Sequence, residues 1–464
     1  MSSEDSPRPG TGVVYLKASS LRSDGSRNYV HPADVTGRFH SVRKMAFLVL
    51  LVLLAGLPWL EVNGHPAVFL DVDGRRFFLF GHTFNAQDFW LVFFLLSGIG
   101  YALIVVTALW GRVWCGYACP QTVFLEGLFR PIERLIDGSR NARLRRRKQG
   151  LGWSRMWRFA LKHTIYLLLA FLVSHIVVSY FVSIPALYEM VLSDPSEHPE
   201  AFVWATALTG LLYLDFAWFR EQLCLIVCPY GRLQSVLTDR DTLVIGYDRK
   251  RGEPRGKVRQ SGAGACVDCK RCVAVCPTGI DIRNGLQLDC IGCARCVDAC
   301  DEVMGRLGRA PGLVRYDSLK GLLGRRRRVL RPRLYLYTAF GLVGLGALGI
   351  AMLHSRPYEA NLLRLRDLPY VVEGDSVRNA FELHLVNKRA GQSEFSIEGA
   401  GGAELHYAIA LPRVALDPLQ SQRIPIFVSY PRRIASNKRV ASLRIIVDGE
   451  EPRTLTVPLT GPDS

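Results

Sequence analysis

The sequence predicts a multi-domain membrane protein: a bundle of five transmembrane helices, a cysteine-rich α+β insert before the fifth, and an all-β C-terminal domain. Three observations predict it. Continuous apolar stretches run from Met45 to Trp59, Phe89 to Trp110, Phe159 to Ile184, Phe202 to Phe219 and Leu334 to Leu353, each near the ~20 residues that cross a bilayer. All twelve cysteines fall into four clusters, with none left over. Beyond the fifth stretch the pattern changes to short alternating runs separated by Gly, Pro, Asp and Asn. With 464 residues, 49% hydrophobic content and a formal charge of +17, the chain is too long for one small domain and unusually basic. The expected divisions are a tail at 1–44, four helices within 45–220, an insert at 221–333, a fifth helix at 334–353 and a terminal domain at 354–464.

The first forty residues are rich in Ser, Gly, Pro and Arg. They have too little apolar content to build a core and read as a mobile tail. No cleavable signal peptide is visible, because the first apolar stretch begins late and lacks a small-residue cleavage site. That stretch is short and ends at Pro58-Trp59, where an interfacial aromatic is expected. The second is the clearest span, and the fourth, which carries Asp215, is the weakest. His163 and His175 lie on the third. Ionisable groups inside a membrane are functional candidates, but no other span carries a histidine to oppose them across a haem, so packing or hydrogen bonding is the plainer reading. Gly344-x-Gly346-x-x-Gly349 matches a dinucleotide fingerprint by letter only; mid-span, it reads as close helix packing.

Orientation follows from the basic residues of the connections, since Lys and Arg resist translocation. Arg38, Arg43 and Lys44 precede the first span, Arg143, Arg145, Arg146, Arg147 and Lys148 follow the second, and Arg325 to Arg328 precede the fifth. The third connection, Pro185 to Ala201, has Glu189, Asp194, Glu197 and Glu200 but no Lys or Arg. The N-terminus and the insert are therefore expected in the cytoplasm and the terminal domain outside. The basic runs mark the membrane's inner face rather than a nucleic-acid site.

Within the insert, Cys266, Cys269, Cys272 and Cys276, then Cys290, Cys293, Cys296 and Cys300, repeat the C-x2-C-x2-C-x3-C run of bacterial ferredoxins. In that run three thiolates hold one cubane and the fourth crosses to the other. Two 4Fe-4S clusters are expected, one on Cys266, Cys269, Cys272 and Cys300, the other on Cys290, Cys293, Cys296 and Cys276. Structural zinc also uses four cysteines but seldom at this spacing, twice over. Pro277 fits the run; Asp301 departs from it and places a negative charge beside a cluster.

Cys115 with Cys119, and Cys224 with Cys228, form a C-x3-C-P repeat after the second and fourth spans. If the helix continues through the second cysteine, positions i and i+4 share a face. The proline then ends that helix or opens the next. Packing about a pseudo-twofold axis would let four sulfurs converge, and soft thiolates select Cu(I), zinc or iron–sulfur. The alternative is inert buried thiols. A disulfide does not suit the reducing side.

The runs Ala380 to Val386, Arg423 to Val428, Ser442 to Val447 and Thr454 to Leu459 predict an immunoglobulin-like antiparallel sandwich. It contains no cysteine, and its His384 and His406 stand alone in strand context. A docking surface is the expected role.

Pro58-Trp59-Leu60, Trp114 to Gln121, Val227 to Gly231, VCPTGIDIRNG at Val275 to Gly285, CVDACDEVM at Cys296 to Met304 and GLVRYDS at Gly312 to Ser318 resemble the CcoG, FixG or RdxA family. These are membrane polyferredoxins linked to maturation of cbb3-type cytochrome oxidase, and the likeness covers nearly the whole chain. It implies a bacterial inner-membrane protein that reduces Cu(II) to Cu(I), with Cys115, Cys119, Cys224 and Cys228 as copper-handling thiols. Implied partners are oxidase assembly factors, copper chaperones or transporters, a cytoplasmic donor or quinol, and a second copy of the chain. Two rival functions stay open: a quinol-oxidising electron-transfer subunit that never binds copper, and a non-catalytic assembly scaffold.

Overall fold

The computed structural model describes residues 13–14, 29–62, 65–72, 76–85, 89–148, 152–258, 260–353, 358–365, 369–389, 391–402, 404–417, 420–434 and 440–462. They form two compact units, Met1–Gly346 and Ala347–Ser464.

Five helices are long and apolar enough to cross a membrane: Arg38–Trp59, Val92–Trp110, Trp153–Val178 and Pro199–Phe219 in the first unit, and Pro332–Ala351, which begins in it and runs past its boundary. No more than 22% of any span's most apolar window is buried against the rest of the chain, as expected where lipid is the solvent and the helix satisfies its own backbone. Four spans start earlier than their apolar stretches, the first by the widest margin. The first helix begins at Arg38 rather than Met45 because the Asp298 carboxylate accepts hydrogen bonds from the Phe39 and His40 amides at 3.2 and 2.7 Å. That carboxylate satisfies orphan donors of the first turn. At Gly37, just before, a Cβ would stand 2.4 Å from the Asp298 Cγ, so only glycine fits. The third helix runs Trp153–Val178 and stops short of Ile184, where Pro185 opens a separate short helix, Ile184–Leu192.

The tail reading fails for the residues just before the first span. Val30, Ala33 and Val35 are buried. The Ala33 amide donates to the Ala274 carbonyl at 2.7 Å, and Arg143, Arg271 and Arg295 donate to the carbonyls of Pro32, Asp34 and Ala33. This segment is an extended strap, held by its backbone rather than by large apolar side chains. The earlier part of the tail lies outside the described residues, apart from Val13–Val14, which pairs in parallel with Leu286–Gln287.

The insert is built on the antiparallel strands Leu243–Tyr247 and Val314–Ser318 and the helices Arg271–Ala274 and Arg295–Arg306. Ile245, Ile280, Ile282, Val297, Met304, Leu313 and Val314 pack with the cysteines in one core.

The second unit holds a five-stranded sheet, with Ser376–Asn387 and Ser421–Pro431 at its centre, and a four-stranded sheet around Ser393–Gly399 and Val440–Val447. In Ser376–Asn387 the side chains of Val377, Asn379, Phe381, Leu383 and Leu385 alternate inward, the period of a strand with one buried face. They meet Phe395, Ile397, Leu443 and Ile445 of the other sheet. Each of the four alternating runs lies within or overlaps a strand. The glycine stripe of the fifth span does not pack as expected: a Cβ at Gly344, Gly346 or Gly349 would meet nothing within 4 Å.

Candidate metal centre

The two ferredoxin-type runs fold alike. Asp268 and Lys270, on either side of Cys269, have φ of 50° and 52°; Gly292 and Ala294, on either side of Cys293, have 68° and 58°. Left-handed residues alternating with helical ones turn successive amides into one concavity, the backbone nest that cradles anions and iron–sulfur sites. A helix then starts at Arg271 in one run and at Arg295 in the other.

The eight thiols act on one another in overlapping groups. Cys300 lies near Cys269 and Cys266, and Cys272 near Cys300 and Cys269. Cys276 lies near Cys293, Cys290 near Cys293 and Cys276, and Cys296 near Cys293, Cys290, Cys276 and Cys272. The fourth cysteine of each run thus has thiols of the other run beside it. Five thiols, Cys272, Cys276, Cys290, Cys293 and Cys296, line one small cavity with Ile245, Ile280, Ile282 and Ile291. Burial pushes Cys272, Cys290 and Cys300 up to about 12. Such sulfurs stay protonated until a metal displaces the proton. Thiol donors, nests and a dry apolar wall together fit iron–sulfur clusters.

The C-x3-C-P pairs correct the single-helix expectation. The helix Val113–Tyr117 ends before Cys119, which is extended (φ −61°, ψ 127°) and precedes the helix Pro120–Phe124. The π-turn Leu223–Val227 likewise ends before Cys228 (φ −64°, ψ 110°), which precedes Pro229–Leu237. Each second cysteine is therefore an N-cap, with proline opening the next helix. The Gln121 and Thr122 amides face the Cys119 sulfur and oppose part of the rise that burial gives its pKa. The two pairs are neighbours, within electrostatic reach of one another: Cys115 feels Cys119 and Cys228, and Cys224 feels all three others. Gln234 donates its amide to the Cys115 Sγ at 3.4 Å, while burial lifts that thiol to about 11. Among the described residues no three His, Cys, Asp or Glu side chains are arranged to hold a single metal ion.

The two centres share a wall. A Cβ at Gly116 would stand 2.9 Å from the Gly292 carbonyl oxygen and 3.0 Å from that of Ile291, so the backbone beside Cys115 lies directly on the loop between Cys290 and Cys293. Arg112 donates to the carbonyls of Cys290 (3.2 Å), Leu288 and Gly231, tying both C-x3-C-P segments to that loop. Arg43, buried on the first span, donates to the Gly116 carbonyl at 2.9 Å. Behind them lies a buried ion network. Arg295, between Cys293 and Cys296, pairs with Glu126 at 2.8 Å. Glu126 also pairs with Arg130, which donates to the Pro277 carbonyl at 3.1 Å. These cations hold the Glu126 carboxyl down at about 2 despite its burial.

Sequence reasoning missed Arg112, Glu126, Arg130 and Arg295; their one signal was position, beside or just after the cysteine motifs. Glu126→Ala would leave Arg295 and Arg130 short of a counter-charge. It is expected to cost about 3–5 kcal/mol, measured as earlier thermal loss of the visible absorbance. His163, His175 and Asp215 each find a local partner. His163 Nδ1 meets the Tyr213 hydroxyl at 2.9 Å, His175 Nδ1 the Phe171 carbonyl at 2.8 Å, and Gln121 donates to Asp215 at 3.1 Å.

Three family models match. A 4Fe-4S dicluster domain covers residues 219–319, a 4Fe-4S binding domain covers 90–151, and the IG-like fold at the C-terminal of FixG, putative oxidoreductase, covers 348–460. The chain is 37% identical over 399 residues to Protein RdxA of Cereibacter sphaeroides, covering 82% of this chain and 84% of that one. It is 37% identical over 421 residues to Protein RdxB of the same organism, covering 86% of each. To Nitrogen fixation protein FixG of Rhizobium meliloti it is 34% identical over 461 residues, covering 88% and 87%. Among solved structures, a FixG-related protein from Vibrio parahaemolyticus aligns with 23% of this chain and 97% of that one at 14% identity and a TM-score of 0.20, too slight a likeness to argue from. Five apolar spans, two 4Fe-4S family models and relatives matched over most of the chain agree: the chain belongs to the FixG/RdxA family of membrane-associated iron–sulfur electron-transfer proteins.

Proposed function

We propose that this protein reduces Cu(II) to Cu(I) at Cys115, Cys119, Cys224 and Cys228, drawing electrons from a cytoplasmic carrier or from quinol. The Cu(I) then passes, by way of copper chaperones or transporters, to the assembly of a cbb3-type oxidase. Cys266, Cys269, Cys272 and Cys300 hold one 4Fe-4S cluster and Cys276, Cys290, Cys293 and Cys296 the other; these groups supply one-electron storage beside the copper site. The observation that carries the reading is the contact of Gly116 with Gly292 and Ile291, which sets the four-thiol group against the ferredoxin-like loop. Four soft sulfurs favour Cu(I) over Cu(II), so binding itself favours the reduction. Gln234 holds Cys115 in place. Among the described residues no three sulfurs are placed to hold one ion as they stand, so copper binding here requires them to draw closer. The basic runs support an orientation with the insert in the cytoplasm and the sandwich outside, in the inner membrane.

Protein reduced anaerobically with dithionite, freed of reductant and given Cu(II) should yield about two Cu(I) per chain, one for each cluster, read with a Cu(I)-specific chelator. Protein that keeps its iron and sulfide yet yields none refutes the reading. Gly116→Ala, whose methyl forces the two loops apart, is expected to slow the reaction several-fold at unchanged iron content. A second reading is favoured by the 4Fe-4S binding model over 90–151, a stretch whose only cysteines are Cys115 and Cys119. Under it the four thiols hold a third cluster, and iron rises from about eight per chain to about twelve.

A further inference from the structure

A cleft of about 650 Å³ opens where the third and fourth spans meet the basic helix Arg140–Lys148. Arg155, Arg158 and Lys162 line it from successive turns of one helical face. Arg143, Arg146 and Arg147 line it from the basic helix, and Arg220 completes seven Arg and Lys side chains against two carboxylates, Glu133 and Asp137. Both carboxylates are already engaged. Lys162 pairs with Asp137 at 2.8 Å, and Arg220 and Arg143 pair with Glu133 at 2.9 and 3.4 Å. Arg146 and Arg158 donate to the carbonyls of Asp137 and Ile136, which carry no charge. The Nε atoms of Arg143, Arg158 and Arg220 are buried with no hydrogen-bond partner. The Arg220 Nε lies 3.8 Å from the Glu221 carboxylate, and the seven cations still outnumber the two engaged carboxylates of the lining, so the cleft holds surplus positive charge. Its remaining wall is of another kind: Phe159, Leu214 and Trp218 line it and are 59%, 59% and 63% exposed, on spans whose surroundings are acyl chains.

We propose that the cleft binds the phosphate headgroup of an anionic phospholipid, with its acyl chains along Phe159, Leu214 and Trp218. Arginine forks suit phosphate oxygens, and basic pockets between spans are the usual seat of such headgroups. A free phosphate would match the arginines but leave the apolar wall unused.

The full-length protein, purified in detergent, would be mixed with phosphatidylglycerol, cardiolipin or phosphatidylcholine, and retained lipid counted by native mass spectrometry. Phosphatidylglycerol or cardiolipin should be retained in preference to phosphatidylcholine. Arg147→Gln with Arg155→Gln should weaken retention about thirtyfold, and the Lys pair at the same positions should restore it. Arg325→Gln with Arg326→Gln removes as much charge from another basic run and should leave retention unchanged. Equal retention of phosphatidylcholine, equal loss in both Gln pairs, or full retention by the first pair would overturn the proposal. So would displacement of the lipid by millimolar inorganic phosphate, which would mark a free-anion site.

Discussion

Replacing Cys115 and Cys119 together by Ser is expected to lower cupric reduction at least about tenfold while iron stays at about eight per chain. Serine keeps the volume and the N-cap role of residue 119, so the helix opened by Pro120 survives the change. What it removes is the soft donor, because a hydroxyl does not hold Cu(I) as a thiolate does. The two cysteines left, Cys224 and Cys228, belong to the other half of the repeat, and the site depends on both halves meeting. Unchanged reduction would take the thiols out of the chemistry. A fall of about four irons would instead support the third-cluster reading.

The second large effect concerns the crossing of the ferredoxin-like ligands. In the crossed arrangement Cys272 and Cys300 serve one cluster, whereas Cys272 and Cys276 serve two. Cys272→Ser with Cys300→Ser is therefore expected to retain about four irons, and Cys272→Ser with Cys276→Ser close to none. Each double variant removes two half-buried or buried thiols from one core, so their folding costs are similar and the iron count separates them. The interaction of Cys300 with Cys266 and Cys269, and of Cys276 with Cys293, supports this outcome. The reverse order of iron contents would show that each run holds its own cluster.

The spans were legible because lipid demands apolar length from every one of them, and the eight ferredoxin-type cysteines because ligand spacing is fixed by the metal group. The sandwich was legible through its period of two. Other features were not. The strap at Val30 to Val35 is held by carbonyls accepting from arginines, and backbone bonds leave no hydrophobic pattern to read. The break at Cys119 and Cys228 was legible in part, since each following proline suits the first turn of the next helix, as Pro120 and Pro229 do; that the preceding helix stops before the second cysteine was not. Arg43 and Arg143 were counted for topology, where any cation serves, although both are buried with specific partners. A charge beside a cysteine motif was the signal for Arg112 and Arg295, and only the fold shows what they reach.

The strap also bears on biogenesis. Ala33 leaves the ribosome long before Ala274, its hydrogen-bond partner, and the helix behind it must enter the bilayer while Asp298, which will cap it, is still unsynthesised. Early translation products therefore have an unfinished lip on their first anchor. The last clasp closes only when the cysteine-rich segment has emerged and folded, so final docking of the amino terminus is a late event in assembly.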